Sequence, residues 1–410
     1  MHNEHDLIVF SEETMRRQVM HVEAIVQELL GTAIHKTRIK TLSVLVQGII
    51  DCKELKLTSL GRQLKINGKE SSGITRVDRA LGNQFYQTRF IEIYGAITKK
   101  AIGEMSTAVL VVDWSSIPGS HLTISGEQCF LRASLVAQGR SITLYEEVHS
   151  KSMEGNSHIH RAFLAHLNTL IPTSCRPCIL TDAGFKNPWF KAVLALGWDY
   201  IGRLNCSVHY DDGAGFKPLS ELLPQTTSKP QAIGVVTVAK TNPISTQVYT
   251  YKKIPKGRKH RGKTGVILKN KHSRKNAKSN REPWILASNL TGDKIEQRIV
   301  KYYKLRMTIE ESFRDTKSQR YGMSMNENVT INVARYIVWL VLAALASFIA
   351  WVVGYTAEQL KLHYDFQANT YRSRRVLSFF FLGCQVIRKR IEIPINLNII
   401  LRQNWGILYD

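Results

Sequence analysis

The chain has 410 residues and a formal charge of +23, with 44% of its residues hydrophobic and 9% aromatic. This length predicts several domains, and the apolar content excludes a disordered chain because it suffices for a buried core. The excess of 56 Lys and Arg over 33 Asp and Glu favours a polyanionic partner, with nucleic acid leading and an anionic membrane surface as the alternative. Scattered cysteines and the lack of a signal-peptide pattern predict a reduced, cytoplasmic setting.

The first hundred residues are basic and have helical patterning. Residues 57–64, with Thr58 as the expected cap, predict a short helix, and residues 74–81 predict a second one. Two short helices with cations on the second resemble a helix-turn-helix, in which Arg76 and Arg79 would face the groove of DNA. The connection is longer than the usual turn, so an ordinary helical hairpin is an equal alternative.

Two apolar runs in the next hundred residues end on an acid. Residues 107–113 end on Asp113 and residues 178–182 end on Asp182, and both runs are typical of buried strands. Three strands in a meander, then helix–strand–helix–strand, predict an α/β fold with a mixed sheet and helices packed on it. Singly, each acid is more often a helix cap or a loop residue. His158, His160 and His166 are candidate metal ligands by type, but a polar helix entrance is the favoured interpretation.

Residues 206–285 are turn-rich and predict a β-rich insertion. Within it, residues 252–281 contain thirteen Lys or Arg and no acid, a density that repels itself unless a polyanion is present. We therefore predict a loop that orders on phosphates. Its candidate DNA contacts are Lys256, Arg258, Lys259, Arg261 and Lys263. Residues 257–264 match a P-loop by letters, but no buried strand precedes them and no apolar helix follows, so ATP is not expected.

Four polar residues, Tyr303, Arg306, Glu310 and Lys317, follow one another at offsets 0, 3, 7 and 14. On one long helix these offsets fall within roughly 60° of one another. One carboxylate is then flanked by a phenol, a guanidinium and an ammonium, which suits a metal ion held beside a phosphodiester. Most polar stripes are solvated helix faces, so this interpretation depends on the two aspartates upstream.

Three convergent acids suffice for cleavage of a phosphodiester. Two Mg²⁺ ions about 3.5–4 Å apart activate the attacking group and stabilise the leaving oxygen, and Mg²⁺ prefers carboxylate oxygens. Asp113 and Asp182 would come from neighbouring strand ends, and Glu310 from a helix laid across the sheet edge. The adjacent Glu311 is excluded only by the spacing of the stripe.

Residues 336–353 are nearly unbroken in apolar character, interrupted only by Ser347. Their length is at the threshold for a membrane span. A fully buried helix is the favoured interpretation, and a membrane-associated protein is the rival. A basic, aromatic tail follows this segment.

The sequence resembles a known family at these residues. VLVVDWSS around Asp113, ILTDAGF around Asp182 and the spacing Tyr303-x2-Arg306-x3-Glu310-x6-Lys317 match the signature of bacterial DDE transposases. The group is the insertion-sequence-four family, whose members carry this YREK motif. GRSITLYEE, EPWILASNL and FQANTYRSRRVL also look like segments of the family, and the resemblance spans essentially the whole chain.

The resemblance implies an RNase H-like core with a β-rich insertion, flanked by helical domains. The expected parts are a helical DNA-end-binding domain over 1–100, the catalytic core over 105–205 and 286–325, the insertion over 206–285, and a helical C-terminal domain over 326–410 for dimerisation and DNA contacts.

By the same resemblance, each motif residue acquires an expected role. Asp113, Asp182 and Glu310 would hold Mg²⁺, for which Mn²⁺ would substitute. The residues expected to grip phosphates near the cleaved end are Tyr303, Arg306, Lys317 and, on the same face, Arg314. Trp284 would stack on a flipped base, with a core tryptophan as the alternative, and Arg203 would contact the DNA end.

The implied reaction is cut-and-paste transposition through a hairpin at each element end. Its partners are double-stranded DNA and a second copy of the chain, without ATP or a membrane, at the nucleoid in a bacterial cytoplasm. A DNA-binding relative without catalysis is the rival from another class.

Overall fold

In a computed structural model, the described residues are 22–64, 69–117, 126–254, 266–267, 282–330, 332–371 and 373–402. The helices are α1 (Val22–Leu30), α2 (Lys36–Cys52), α3 (Leu57–Gln63), α4 (Glu70–Leu81), α5 (Gln84–Thr88), α6 (Phe90–Ile102), α7 (Ser157–Leu170), α8 (Asn187–Ala195), α9 (Ile295–Leu305), α10 (Met307–Lys317), α11 (Val333–Gln359) and α12 (Phe379–Arg388). The strands are β1 (Thr107–Ser116), β2 (Gln128–Ala137), β3 (Arg140–Ser150), β4 (Arg176–Thr181), β5 (Asp199–Arg203), β6 (His209–Asp211), β7 (Lys217–Pro218), β8 (Gln231–Val238), β9 (Ile244–Tyr251) and β10 (Trp284–Ser288).

These strands form one mixed sheet in the order β3-β2-β1-β4-β5-β10-β9-β8-β6-β7. β1 runs parallel to β4, and Val111 pairs with Leu180. Asp113 and Asp182 each lie two residues beyond this pair, so the parallel register brings both acids to the same edge of the sheet. The α/β prediction is therefore confirmed. Asp182 follows the end of β4 as predicted, but β1 continues to Ser116 through its pairing with β2, so the prediction that its strand ends on Asp113 is wrong.

The segment predicted as an insertion continues the same sheet. β10 pairs with β5 on one side and with β9 on the other, and Trp284 lies opposite Tyr251. β10 begins at Trp284 itself, so the tryptophan belongs to the strand that joins the core to β9 and β8.

Helices cover both faces of the β1–β3 region, and every residue of β2 is buried. Because side chains alternate along a strand, Asp113 and Trp114 point to opposite faces. The Asp113 face carries α10, whose Ser312 hydroxyl donates to the Ser141 carbonyl (3.0 Å). The Trp114 face carries α7. α6 lies along the edge strand β3, where the Thr98 hydroxyl donates to the Leu144 carbonyl (3.0 Å), and this protects an edge that could otherwise pair with another chain.

α11 is the central helix of the C-terminal part. A Cβ on Gly354 would lie 1.9 Å from the Phe379 carbonyl oxygen, and one on Gly383 would lie 1.8 Å from that of Ala350. The backbones of α11 and α12 can approach this closely only because both positions are glycine. α11 is long and apolar enough to cross a membrane, but 89% of its most apolar window is buried within the protein. The prediction of a buried helix is confirmed.

The N-terminal helices differ from the prediction at their starts. Lys56 precedes α3 without a side-chain cap, and Thr58 lies inside the helix, so Thr58 was wrongly assigned as the cap. α4 begins at Glu70 rather than at residue 74. The two helices pack closely, since a Cβ on Gly61 would lie 2.5 Å from the Ile74 Cα.

Candidate active site

Three carboxylates from separate elements lie close enough for their charges to affect one another. Asp113 on β1 is buried, Asp182 after β4 is half-buried, and Glu310 in the first turn of α10 is exposed. Burial raises the pKa of Asp113 to about 7, with the negative charges of Asp182 and Glu310 adding to the effect. The charges of Asp182 and Glu310 therefore reach Asp113.

Backbone amides orient the two aspartates. The Trp114 N–H donates to Asp113 Oδ1 (2.8 Å), and the Gly184 N–H donates to Asp182 Oδ1 (2.8 Å). Each donor lies one or two residues after its aspartate in the chain. The sequences DW and DAG therefore supply the hydrogen bonds that orient their own carboxylates. A Cβ on Gly184 would lie only 3.0 Å from Asp182 Oδ1, which favours glycine at that turn.

The Arg306 guanidinium lies between the first and third acids. Its Nη1 is 3.2 Å from Asp113 Oδ2 and 3.5 Å from Glu310 Oε1. The prediction of one long helix is wrong at this residue. The helix is interrupted at Arg306, where its N–H donates to the Tyr303 carbonyl three residues back (3.1 Å), the tighter pattern of a 3₁₀ turn.

Tyr303 and Trp284 pack together beside this cluster. Their rings meet edge to face at 4.9 Å, and Tyr251 lies 5.6 Å from Trp284 on the other side. Tyr303 is buried, and burial raises the pKa of its phenol to about 12. The hydroxyl is therefore protonated and able to donate at neutral pH. Trp284 is half-buried, so part of its side chain is exposed to solvent.

Lys317 contacts the strand that carries Asp113. Its Nζ donates to the Ser115 Oγ (2.7 Å), two residues beyond Asp113 on the same face. Burial and, to a smaller extent, the positive charge of Arg132 lower the pKa of Lys317 to about 8. Arg132 is itself buried and forms a 2.7 Å ion pair with Glu146.

Three other residues lie outside this cluster. Arg314 is exposed and pairs with Glu311, and Glu311 also lies 3.8 Å from Arg140. Glu311 is therefore engaged by two arginines, which distinguishes it from the neighbouring Glu310. The sequence separates the two glutamates only through spacing. Arg203, at the end of β5, binds Glu282 (2.9 Å), and its charge lowers the pKa of Tyr303 against the larger effect of burial.

A comparison with known families decides the broader class. The family described as Transposase DDE domain matches residues 104–346, which is more than half of the chain. The chain belongs to the DDE transposases. No curated protein matches it. The matched region contains β1 to β10 and the whole cluster around Asp113, and the family assigns DNA as the substrate.

DDE transposases normally use a divalent metal, for which the acids of this transposase are the candidate ligands. Within the described part of the chain, no group of three or more His, Cys, Asp or Glu is placed to hold a metal ion. The Arg306 guanidinium lies against Asp113 and Glu310, where a cation would be expected. The donor set itself suits Mg²⁺, because all three groups are carboxylates. Burial and, after it, the charges of Asp182 and Glu310 raise the pKa of Asp113, and a bound cation would favour its ionised form.

The predicted N-terminal DNA contacts of the transposase line a groove. Arg76 and Arg79 are exposed on α4 and face a cavity of about 930 Å³ that Arg38 also lines. Ser and Thr hydroxyls complete the lining, so the groove is polar as well as cationic. The basic contacts predicted at Lys256, Arg258, Lys259, Arg261 and Lys263 lie outside the described residues.

Sequence reasoning missed the burial of one residue beside this site. His160 lies in the first turn of α7, at the helix entrance as predicted, but it is buried, whereas His158 and His166 are exposed. The Trp114 indole N–H donates to His160 Nε2 (3.1 Å). The burial of His160 could have been predicted from the pattern of α7. The buried positions of this helix are His160, Phe163, Leu164 and Leu167. Their spacing is that of the apolar face of a helix, on which the histidine falls.

Proposed function

We propose that this transposase belongs to the insertion-sequence-four family with the YREK signature, close to the transposase of the tetracycline-resistance composite transposon. It binds the inverted ends of its own element, cleaves them through hairpin intermediates and transfers the 3′ hydroxyls to target DNA. The observation that carries this proposal is the mutual charge effect of Asp113, Asp182 and Glu310, with Arg306 between two of them.

Asp113, Asp182 and Glu310 are the proposed ligands of Mg²⁺ or Mn²⁺. Bound metal of this kind lowers the pKa of an attacking water or hydroxyl and stabilises the leaving oxygen. The protein contributes fixed carboxylates, since the amides of Trp114 and Gly184 hold one oxygen of each aspartate. Glu310 is exposed and free to adjust on α10.

The phenol, guanidinium and ammonium of the stripe are the proposed phosphate contacts. Arg306 would leave its carboxylates for a phosphate, to which its planar guanidinium can donate two parallel hydrogen bonds. The Tyr303 hydroxyl, protonated at neutral pH, donates a neutral hydrogen bond. Lys317 adds a positive charge from the β1 side. Arg314, which pairs with Glu311 on the outer face of α10, would contact DNA farther from the acids.

Trp284 is the proposed platform for a flipped base. Base flipping loses stacking, and an aromatic face in the site offsets that loss. Trp284 is half-buried and packs against Tyr303 and Tyr251, so its ring is held in place while part of the side chain stays exposed. Arg203 lies near enough to Tyr303 for its positive charge to lower the pKa of the phenol. It would contact the same DNA end.

DNA ends are bound outside the core by the N-terminal groove. Arg76, Arg79 and Arg38 would neutralise phosphates there, with affinity that falls steeply as salt rises. The basic segment 252–281 is proposed as a further phosphate-binding arm. Two copies of the chain would join the two ends, with residues 326–410 contributing to the dimer, at the nucleoid of a bacterial cytoplasm.

The test is cleavage of a plasmid that carries the gene with its native flanks, with and without Mg²⁺. Wild type should excise or nick the ends only with metal, and Glu310→Ala should do neither while still binding the flanks. Glu311→Ala is the matched control, because it removes the adjacent carboxylate that faces Arg140 and Arg314. It should cleave normally.

Salt-sensitive binding without cutting by wild type would favour a DNA-binding relative without catalysis. Cutting by Glu310→Ala equal to wild type would refute its role as a ligand.

A further inference from the structure

His160 connects β1, which carries Asp113, with the segment after β4 that carries Asp182. Its Nε2 accepts a hydrogen bond from the Trp114 indole (3.1 Å), and Trp114 follows Asp113 directly. The Trp114 backbone N–H in turn donates to Asp113 Oδ1. The histidine therefore contacts, through one tryptophan, the residue that orients the first acid.

On its other side, His160 packs against the segment that follows the second acid. Its ring stacks on Phe185 with centroids 5.0 Å apart and planes 19° apart, and Trp189 closes the edge at 5.0 Å. Phe185 is bonded through its N–H to the Asp182 carbonyl (3.4 Å). The same imidazole thus contacts both aspartate-bearing segments.

We propose that His160 is a positioning residue that holds β1 and the turn after β4 at a fixed separation, and so sets the distance between the Asp113 and Asp182 carboxylates. The inference rests on the proposed metal-ligand role of these acids. The position is suited to this task because α7 places the ring on the face of the sheet opposite the carboxylates, where it cannot compete for the metal or the DNA.

The chemistry of the contact requires an unprotonated ring nitrogen. Nε2 accepts from the indole only when the imidazole is neutral, and burial lowers the pKa of His160 to about 4. His160 is buried, and the rings of Trp114, Phe185 and Trp189 pack against it. Phenylalanine in its place would keep the ring but not the acceptor, whereas glutamine would return an acceptor near the Nε2 position without the ring.

The experiment is a titration of Mn²⁺ into the metal-free full chain, followed by electron paramagnetic resonance, with thermal melting in parallel. His160→Phe should bind Mn²⁺ roughly tenfold more weakly, the lower end of the effect seen when the support of a metal ligand is removed. His160→Gln should recover part of that affinity. His363→Phe is the matched control, since His363 is equally buried but lies beside Tyr364, away from the sheet edge. It should change melting alone.

Trp114→Phe provides a second route if a histidine variant folds poorly. It removes the donor of the same hydrogen bond, so it should weaken Mn²⁺ binding like His160→Phe, and the double variant should be no weaker than either, because only one bond is lost. Mn²⁺ affinity within twofold of wild type in both single variants would overturn the proposal. Failure of wild type to bind Mn²⁺, or equal binding by Asp113→Asn, would instead overturn the proposed metal site.

Discussion

Replacing Asp113 by asparagine should stabilise the metal-free protein at neutral and alkaline pH. The folded chain raises the pKa of Asp113 from the ordinary 3.8 to about 7, chiefly through burial. A raised pKa means that the folded protein binds the proton of Asp113 more tightly than the unfolded chain does. The contribution of this proton to the free energy of unfolding is fully present below pH 3.8 and is lost as pH rises through about 7. Asparagine cannot ionise and is spared this loss.

The size of the effect follows from the two pKa values. Their difference corresponds to about 4 kcal/mol, at about 1.4 kcal/mol per pH unit. Spread over the unfolding entropy of a chain of 410 residues, this is a rise in melting temperature of about 5 °C for cooperative unfolding. The rise should be near its full value at about pH 8 and small at about pH 4.5.

Differential scanning calorimetry in the presence of a chelator measures this difference directly. Asp293→Asn is the matched control, because it removes the same charge from an exposed position and should shift melting little at either pH. Added Mg²⁺ should raise the melting temperature of wild type but not of Asp113→Asn. The reasoning fails if Asp113→Asn melts below wild type at alkaline pH, or if its advantage is the same at both pH values.

Three further outcomes are expected. Trp284→Ala should nick the first strand normally but lose hairpin formation, seen on denaturing gels; normal hairpins would assign Trp284 to the core alone. Because burial lowers the pKa of Lys317 to about 8, wild-type affinity for an element-end duplex should fall between about pH 7 and 9, whereas Lys317→Arg should hold its affinity; equal slopes in fluorescence anisotropy would contradict this. Gly354→Ala should destabilise by about 3 kcal/mol because its Cβ would lie 1.9 Å from the Phe379 carbonyl oxygen. Gly95→Ala, with an ordinary 3.5 Å contact, should be neutral or stabilising, and equal melting of the two variants would refute the packing argument.

The two aspartates were predictable because each comes at the end of an apolar run that is typical of a buried strand, although β1 continues past Asp113 to Ser116. That the two strands are neighbours was expected, but their parallel register, which brings Asp113 and Asp182 together, was not visible, since register depends on contacts far apart in sequence. Glu310 could be selected over Glu311 by spacing alone, and the structure adds a physical reason in the contacts of Glu311 with Arg140 and Arg314.

The sequence could not indicate where helical order breaks. The predicted single helix relied on a constant 100° per residue, whereas the chain tightens at Arg306 and forms two helices. Nor could it separate buried from solvated polar residues. Lys317 and His160 both lie among aromatic rings, and their altered pKa values arise from tertiary packing that no local pattern encodes.

The pairing of β9 with β10 has a consequence for the basic segment between them. Tyr251 and Trp284 are opposite each other in the sheet, so the thirteen cations of residues 252–281 are tethered at both ends beside Tyr303. A tether at both ends holds these charges at a high effective concentration around any DNA bound at Trp284. A free peptide of the same sequence, added to a chain lacking the segment, should therefore restore binding only at concentrations far above those of the protein itself.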